Sequence, residues 1–431
     1  MQPKQALLSF DQSPPLSAPL RFFLTAPLFL VLAGLLVAVE GEALFASRWT
    51  PAALAATHLL TIGFMLQVML GALIQILPVL AGANLARPAL IAAIVHPGLS
   101  LGTLALAVGF LAGSTAWLYG AGLLLAISLL VFIAAAGWAI FRVPSTSPAI
   151  RGLKLSLLAL AIAGGSGLFM LLALAGGWAV PLPALANLHA GWGLAGWSGI
   201  LLAAVAYVVV PMFQLTPGYP ARPAWWFPVA VVLALVLWSI SVLLDADGLA
   251  RGAQGLLALS GVAFVLQTLK LQSGRRRARA DCTFRYWQGG LYASLAALLM
   301  LLLDAFLPAL STAPAWPLLF GVLILVGGFL AFIIGMLYKI IPFLLWFNLQ
   351  HQAAVPGKPV PSMNKLLDDG EMQRQMRTFF AAFALLTAAV FQPDRLALPA
   401  GMIFALAGGW LGWNLLQAAL RHRRHRLAGT S

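Results

Sequence analysis

Residues 57–80 read THLLTIGFMLQVMLGALIQILPVL, a run of 24 residues with one imidazole, two glycines and a closing proline. It has no charge, and it exceeds the roughly 20 apolar residues needed to cross a bilayer as a helix. Its proline, Pro78, anchors a pattern. Pro211 and Pro342 follow at intervals of 133 and 131 residues, near the ends of two other long apolar runs. Fifteen residues before the three prolines stand Gly63, Gly196 and Gly327; seven before stand Gly71, Ala204 and Gly335; four before stand Ile74, Tyr207 and Tyr338. The strings GFMLQVMLGALIQILPVL, GWSGILLAAVAYVVVPMF and GGFLAFIIGMLYKIIPFL, beginning at 63, 196 and 327, are therefore read as one helix type occurring three times. Small residues at these offsets let neighbouring helices approach, and each proline frees a carbonyl one turn earlier.

The rest of the chain belongs to the same class. Of 431 residues, 62% are hydrophobic and 8% charged, against about 25% charged in soluble domains. The sequence predicts an all-α polytopic membrane protein with twelve transmembrane helices, near 20–39, 52–81, 88–111, 116–141, 152–175, 183–213, 224–244, 249–270, 285–306, 315–348, 376–393 and 396–420. The first 19 residues are polar, and the run after Arg21 is long enough to stay as an uncleaved anchor. The three proline-anchored helices are spans two, six and ten, so the chain reads as a single membrane domain of three four-helix units, about 20–142, 151–271 and 285–420. Residues 349–376 form a polar loop whose NKLLDDGEMQRQMRTFF suggests an amphipathic helix on the inner leaflet.

The formal charge of +14 is a topology signal and not a nucleic-acid footprint. Of 25 basic residues, all but Arg48, Arg251, Arg395 and the intraspan Lys339 fall in the tails and even-numbered loops. The positive-inside rule then places both termini in the cytoplasm. One cysteine, Cys282, excludes a disulfide framework, a CxxCH haem attachment and a cysteine-rich metal cluster. No HExxH, Walker A loop or glycine-rich dinucleotide fingerprint is present.

Ionisable residues inside a membrane are expensive and mark candidate sites. Carboxylates do not qualify. Glu40, Glu42, Asp245, Asp247, Asp304 and Asp394 fall at outer ends, and Asp11, Asp281, Asp368, Asp369 and Glu371 at inner ones. Histidines do. His58, roughly 10 Å into span two, and His189, in ANLHAGWGLAGW of span six, both lie in the outer third of repeat helices. Neutral imidazole binds haem iron and copper. Gly63, Gly191, Gly193 and Gly196 would leave room for a macrocycle, and Trp192 and Trp197 would line it. The competing reading is a histidine hydrogen-bonded across helices, or an interface residue reaching headgroups. They precede their prolines by 20 and 22 residues, and two residues turn a helix by about 200°, so without a bulge they point differently.

The remaining candidates are weaker. His96, before Pro97, suits a structural hydrogen bond. His351, His422 and His425 read as solvated. Lys339 reads as a cation reaching for headgroups, with a functional role kept open by its place beside Pro342. Tyr207 and Tyr338 are secondary candidates through their repeat position. Gln67, Gln75, Asn84, Asn187, Gln214 and Asn414 read as interhelical polar contacts.

Twelve spans, cytoplasmic termini, three four-helix units and outer-third histidines on spans two and six resemble the catalytic subunit of the haem-copper oxidase superfamily. The strings HAGWGLAGWSGILLAAVAYVVVPMF and GMLYKIIPFLLWF are similar in kind to those of the NnrS-like proteins. The resemblance implies that His58 corresponds to a low-spin haem ligand and His189 to a copper ligand. It implies an inner-membrane protein working in respiration, the nitric oxide response or metal and haem handling, beside another respiratory or electron-transfer subunit. Span seven carries no histidine, and span ten none before His351. A complete binuclear centre, and with it the reduction chemistry of the family, is therefore not expected. A transporter or permease on the same bundle, or a non-catalytic partner or assembly factor of a respiratory complex, are the alternatives.

Overall fold

A computed structural model describes residues 12–276, 279–352 and 362–430. Lys4, Asp11, Arg277 and Lys358, counted above, lie outside the described residues, as does the middle of the polar loop. Twelve long helices carry the fold, and no strand occurs among the described residues. They are α1 (Ser17–Glu40), α2 (Pro51–Ala81), α3 (Pro88–Ala112), α4 (Thr115–Ile140), α5 (Pro148–Gly176), α6 (Leu182–Gln214), α7 (Ala221–Leu243), α8 (Asp247–Ser273), α9 (Cys282–Phe306), α10 (Ala315–His351), α11 (Asp369–Ala389) and α12 (Pro393–Thr430). Eleven of them, all but α11, are long and apolar enough to cross a membrane. The chain is a polytopic helical membrane protein in contact with the lipid bilayer.

Local chemistry sets the helix ends. Thr50 caps α2 by accepting from Ala53 N at 3.1 Å, and Ser147 caps α5 by accepting from Ile150 N at 3.3 Å, each with proline at the first helical position. Gly113 and Gly177 close α3 and α5 in the left-handed conformation.

Spans expected from sequence match helices at eleven places. The twelfth differs. Asp368 accepts from Glu371 N at 3.1 Å and starts α11 seven residues before the expected 376. The segment expected to lie as one amphipathic helix is instead a short turn, Met363–Leu366, followed by α11. The polar first turns of α11 are engaged by protein. Glu371 accepts from Arg374 and from Trp410 Nε1 on α12, and Gln375, fully buried, donates to Ala407 O at 3.0 Å.

A feature absent from the sequence reading marks α2, α6 and α10. Each contains a π-helical stretch: Leu59–Leu66, Trp192–Gly199 and Val322–Leu330. Such stretches are rare and usually one turn long. All three end twelve residues before Pro78, Pro211 and Pro342. The helix preceding each π-bearing helix packs on it through matched positions. A methyl carbon added at Gly63 would meet Phe29 Cδ1 of α1 at 2.3 Å, and one at Gly71 would meet Phe22 Cβ at 2.9 Å. On α6, a methyl at Gly196 would meet Ala159 Cβ of α5 at 2.9 Å, and one at Gly152 would meet Ala204 Cβ at 2.7 Å. On α10, a methyl at Gly327 would meet Ala293 Cβ of α9 at 2.6 Å and one at Gly335 would meet Tyr286 Cβ at 2.7 Å. The partners are spaced by seven residues on α1, α5 and α9 alike.

Contact density divides the chain into two compact units, and the division passes through α2 and α9. The first comprises Met1–Pro14, Ala72–Ala278 and Ser294–Ala313. Its core joins Ala159 and Ala163 of α5, Trp192 and Ile200 of α6, Val231 and Leu235 of α7 and Leu257 of α8. The second comprises Pro15–Gly71, Arg279–Ala293 and Pro314–Ser431. Within it α1 and α12 run antiparallel with backbones in contact: a methyl at Gly34 would lie 2.5 Å from Ala405 N, one at Gly401 2.5 Å from Ala38 N, and one at Gly408 2.7 Å from Leu30 Cβ. Only glycine permits such an approach.

Candidate functional site

His58 is the eighth residue of α2, immediately before the π stretch. Its Nδ1 lies 2.8 Å from Leu54 O, one turn back. A carbonyl only accepts, so Nδ1 carries the proton and Nε2 the lone pair. His189 is the eighth residue of α6. Its Nδ1 lies 3.0 Å from Ala163 O of α5, with Ser166 Oγ 3.3 Å away, and the same argument puts its lone pair on Nε2. The ring lies against Gly167, where a methyl carbon would meet Cε1 at 2.8 Å.

Each histidine is the eighth residue of its helix, eight or fewer residues from a π stretch. A bulge does intervene in both helices. Because the π stretches end at equal offsets from their prolines, they displace both histidines alike and leave the two-residue offset intact. Its consequence is visible in the partners: His58 bonds within its own helix, and His189 bonds across to the neighbouring one. His58 belongs to the second unit and His189 to the first.

The glycines do not act as expected. The space beside Gly63 is taken by Phe29, that beside Gly191 by Trp238, and that beside Gly196 by Ala159 and Leu235; of the four, only at Gly193 would a methyl meet nothing within 4 Å. Three of the four therefore seat neighbouring side chains and do not hold space for a macrocycle. Trp192 is buried in the α5–α7 core and donates to Ser239 Oγ at 3.1 Å. Trp197 is also buried, and its indole N–H has no hydrogen-bond partner among the described residues.

The other candidates divide sharply. Lys339 Nζ pairs with Asp281 at 2.8 Å, at the start of α9. Asp281 also caps that helix, accepting from Phe284 N at 2.9 Å. Tyr338 accepts from Asn414 Nδ2 of α12 at 3.0 Å, whereas the hydroxyl of Tyr207 is buried with no partner among the described residues. Tyr207 instead meets the ring of Tyr219 edge-on at 5.1 Å, and Tyr219 stacks on Phe264 of α8 at 6.1 Å and bonds Thr268 Oγ1 at 2.9 Å. Burial raises the Tyr219 phenol, which lies in the α6–α7 connection, above its ordinary range. At His96 the main-chain carbonyl accepts from Ser100 Oγ at 2.9 Å. His422 is not solvated, as its RHRRHR context suggests; it is buried and its Nε2 lies 3.0 Å from Asn348 Oδ1 on α10. Of the polar residues read as interhelical contacts, Gln214 accepts from Gln272 of α8 at 2.8 Å and Gln75 donates to Ser13 at 3.2 Å.

Among the described residues, no group of three or more His, Cys, Asp or Glu side chains converges on one point as a metal cage requires. No family model matches the chain, and no curated protein matches it.

Proposed function

We propose that the chain is a haem-copper-oxidase-like membrane protein that binds haem or copper through His58 and His189, without a full binuclear centre. Its role would lie in respiration, the nitric oxide response or metal and haem handling. The observation that carries this reading is the state of the two imidazoles. Each donates Nδ1–H to a main-chain carbonyl, which is how metal-binding histidines are commonly oriented, leaving Nε2 as the donor nitrogen. The filled space at Gly63, Gly191 and Gly196 suits a metal ion better than a macrocycle at those faces.

The architecture supports the same reading. The π stretches, the prolines and the seven-residue spacing of the partners on α1, α5 and α9 favour three related four-helix units. Antiparallel packing of α1 and α12 favours an even number of crossings, hence twelve, with both termini on one side. The basic bias makes that side the cytoplasm.

The deciding experiment is a visible spectrum and metal analysis of the full chain purified in detergent. A Soret band or stoichiometric copper, diminished in His58→Ala or His189→Ala, is expected. Absence of both signals, or spectra and metal content unchanged in both variants, would overturn the assignment. A permease is the second reading, because π stretches and prolines interrupt α2, α6 and α10 as discontinuous transporter helices are interrupted. Proteoliposome uptake that requires Tyr207, Tyr338 or Lys339 would select it.

A further inference from the structure

Between Glu42 and Asp245 the sequence holds no carboxylate side chain. Three cations of that stretch nevertheless gather in the first unit, where α4 ends and α5 and α7 begin. Arg142 lies over the ring of Trp138, its guanidinium carbon 3.5 Å from the centroid. Lys154 reaches back to the α4–α5 connection, donating to Val143 O and lying 5.9 Å from the Phe141 ring centroid. Arg151, one turn before Lys154, lies 4.7 Å from the ring of Trp225 and 5.3 Å from that of Trp226. None of the three forms an ion pair among the described residues, and the ion pairs found there, Lys339–Asp281, Arg374–Glu371 and Arg395–Asp394, involve other cations.

The chemistry of this cluster is two-sided. Three positive charges without a counter-ion, beside the capped N-terminus of α5 with its partial positive charge, call for an anion. The rings around them are laid bare: Trp138 is 67% exposed, Trp226 60% and Phe141 57%. A free anion gains nothing from such a rim. A ligand with a phosphate head and apolar chains uses both halves, and helix ends of membrane spans lie at the depth where such heads are found.

We propose that Arg142, Arg151 and Lys154, with the rings of Trp138, Phe141 and Trp226, form a binding site for the phosphodiester headgroup of an anionic phospholipid. Arginine supplies a planar fork for phosphate oxygens and the indoles hold that fork flat. The site rests on reading α4, α5 and α7 as spans and is independent of any haem or copper.

The test is native mass spectrometry of the delipidated full chain, titrated in detergent with phosphatidylglycerol, phosphatidylcholine or inorganic phosphate. The triple variant Arg142→Gln/Arg151→Gln/Lys154→Gln should weaken the first phosphatidylglycerol by about fivefold per charge, on the order of 100-fold in all. Phosphatidylcholine binding should not change. A control triple on α12, Arg423→Gln/Arg424→Gln/Arg426→Gln, removes the same charge and should have little effect. Equal weakening by the two triples would reduce the site to a general basic field and overturn it. So would inorganic phosphate binding with the same dependence on the first triple. If that triple does not fold, Arg151→Lys decides: it keeps the charge but loses the fork and the stack, and an unweakened phosphatidylglycerol affinity would refute the site.

Discussion

Gly63 of α2 and the ring of Phe29 on α1 are so close that a methyl carbon on the glycine would stand 2.3 Å from Phe29 Cδ1 and 2.8 Å from its Cβ. The ring cannot simply swing aside, because its own root is within the clash. Gly63→Ala should therefore destabilise the protein by about 1–3 kcal/mol, the usual cost of overpacking. A thermal midpoint in detergent reads this directly. Phe29→Leu added to Gly63→Ala should restore part of the loss. Gly193→Ala, which meets nothing within 4 Å, should be neutral or gain up to about 1 kcal/mol of helix propensity. Equal midpoints for Gly63→Ala and Gly193→Ala would show that the α1–α2 contact is not as close as described.

The two repeat tyrosines should respond oppositely to loss of the hydroxyl. Tyr338 Oη is the acceptor for Asn414 Nδ2, and Asn414 is buried. Tyr338→Phe strands that amide and should cost about 1–3 kcal/mol. Tyr207 Oη satisfies nothing among the described residues, so Tyr207→Phe should fall within about 0.5 kcal/mol of the parent. Adding Asn414→Leu to Tyr338→Phe should recover most of the loss. Comparable costs for the two single variants would contradict the assignment of partners.

Lys339 and Asp281 give a pair that can be dissected. Their side chains are 28% and 21% exposed, so solvent screens them in part. Their coupling in a double-mutant cycle with Lys339→Met and Asp281→Asn should be about 1 kcal/mol. Asp281→Ala should cost about 1 kcal/mol more than Lys339→Met, because it also removes the cap on Phe284 N. A coupling of zero would return Lys339 to the headgroup role read from its position.

What the sequence made legible was what repeats along the chain. Proline and glycine spacing located α2, α6 and α10 and the small residues that neighbours press against. It could not name those neighbours: Phe29, Ala159 and Ala293 have nothing in common but their place. The π stretches had no signature either. LLTIGFML, WGLAGWSG and VLILVGGFL share only the glycine fifteen residues before the proline, so tertiary packing at that glycine sets them. The sequence places Asp281 at an inner end but cannot give its partner, Lys339, which is 58 residues away. His422 was read as solvated because its sequence neighbours are arginines, yet α12 runs on as helix and brings it to Asn348. Which carbonyl each histidine meets depends on helix rotation, and the sequence constrains only the difference between the two.

Tyr219 supplies a pH dependence. Burial holds its phenol above the ordinary value of 10.0, with the hydroxyl of Thr268 opposing in part. The unfolded chain releases this proton first, so the contribution of Tyr219 to stability is full below pH 10 and is lost as pH rises toward the folded value. Stability in detergent should decline above pH 10, and Tyr219→Phe should flatten that decline while leaving neutral stability lower by about 1 kcal/mol through the lost Thr268 bond. An identical alkaline slope in the variant would remove Tyr219 as its source.

The polar start of α11 bears on the number of crossings. By composition α11 is the one long helix not apolar enough to cross a membrane. Were it to lie flat, nine crossings, an odd number, would lie between α1 and α12, and the two would run parallel. They run antiparallel: Gly34 meets Ala405, and Gly408, farther along α12, meets Leu30, farther back along α1. Moreover, Glu371 pairs with Trp410 and Gln375 with Ala407, so α11 lies antiparallel along α12 over about one turn, with these polar groups engaged by protein. A helix whose polar residues are so engaged can cross despite its composition. Reporters inserted after Ser362 and after Phe391 should therefore register opposite sides of the membrane, the first cytoplasmic. A reporter pair on the same side would break the twelve-crossing topology, and with it the placement of both termini in the cytoplasm.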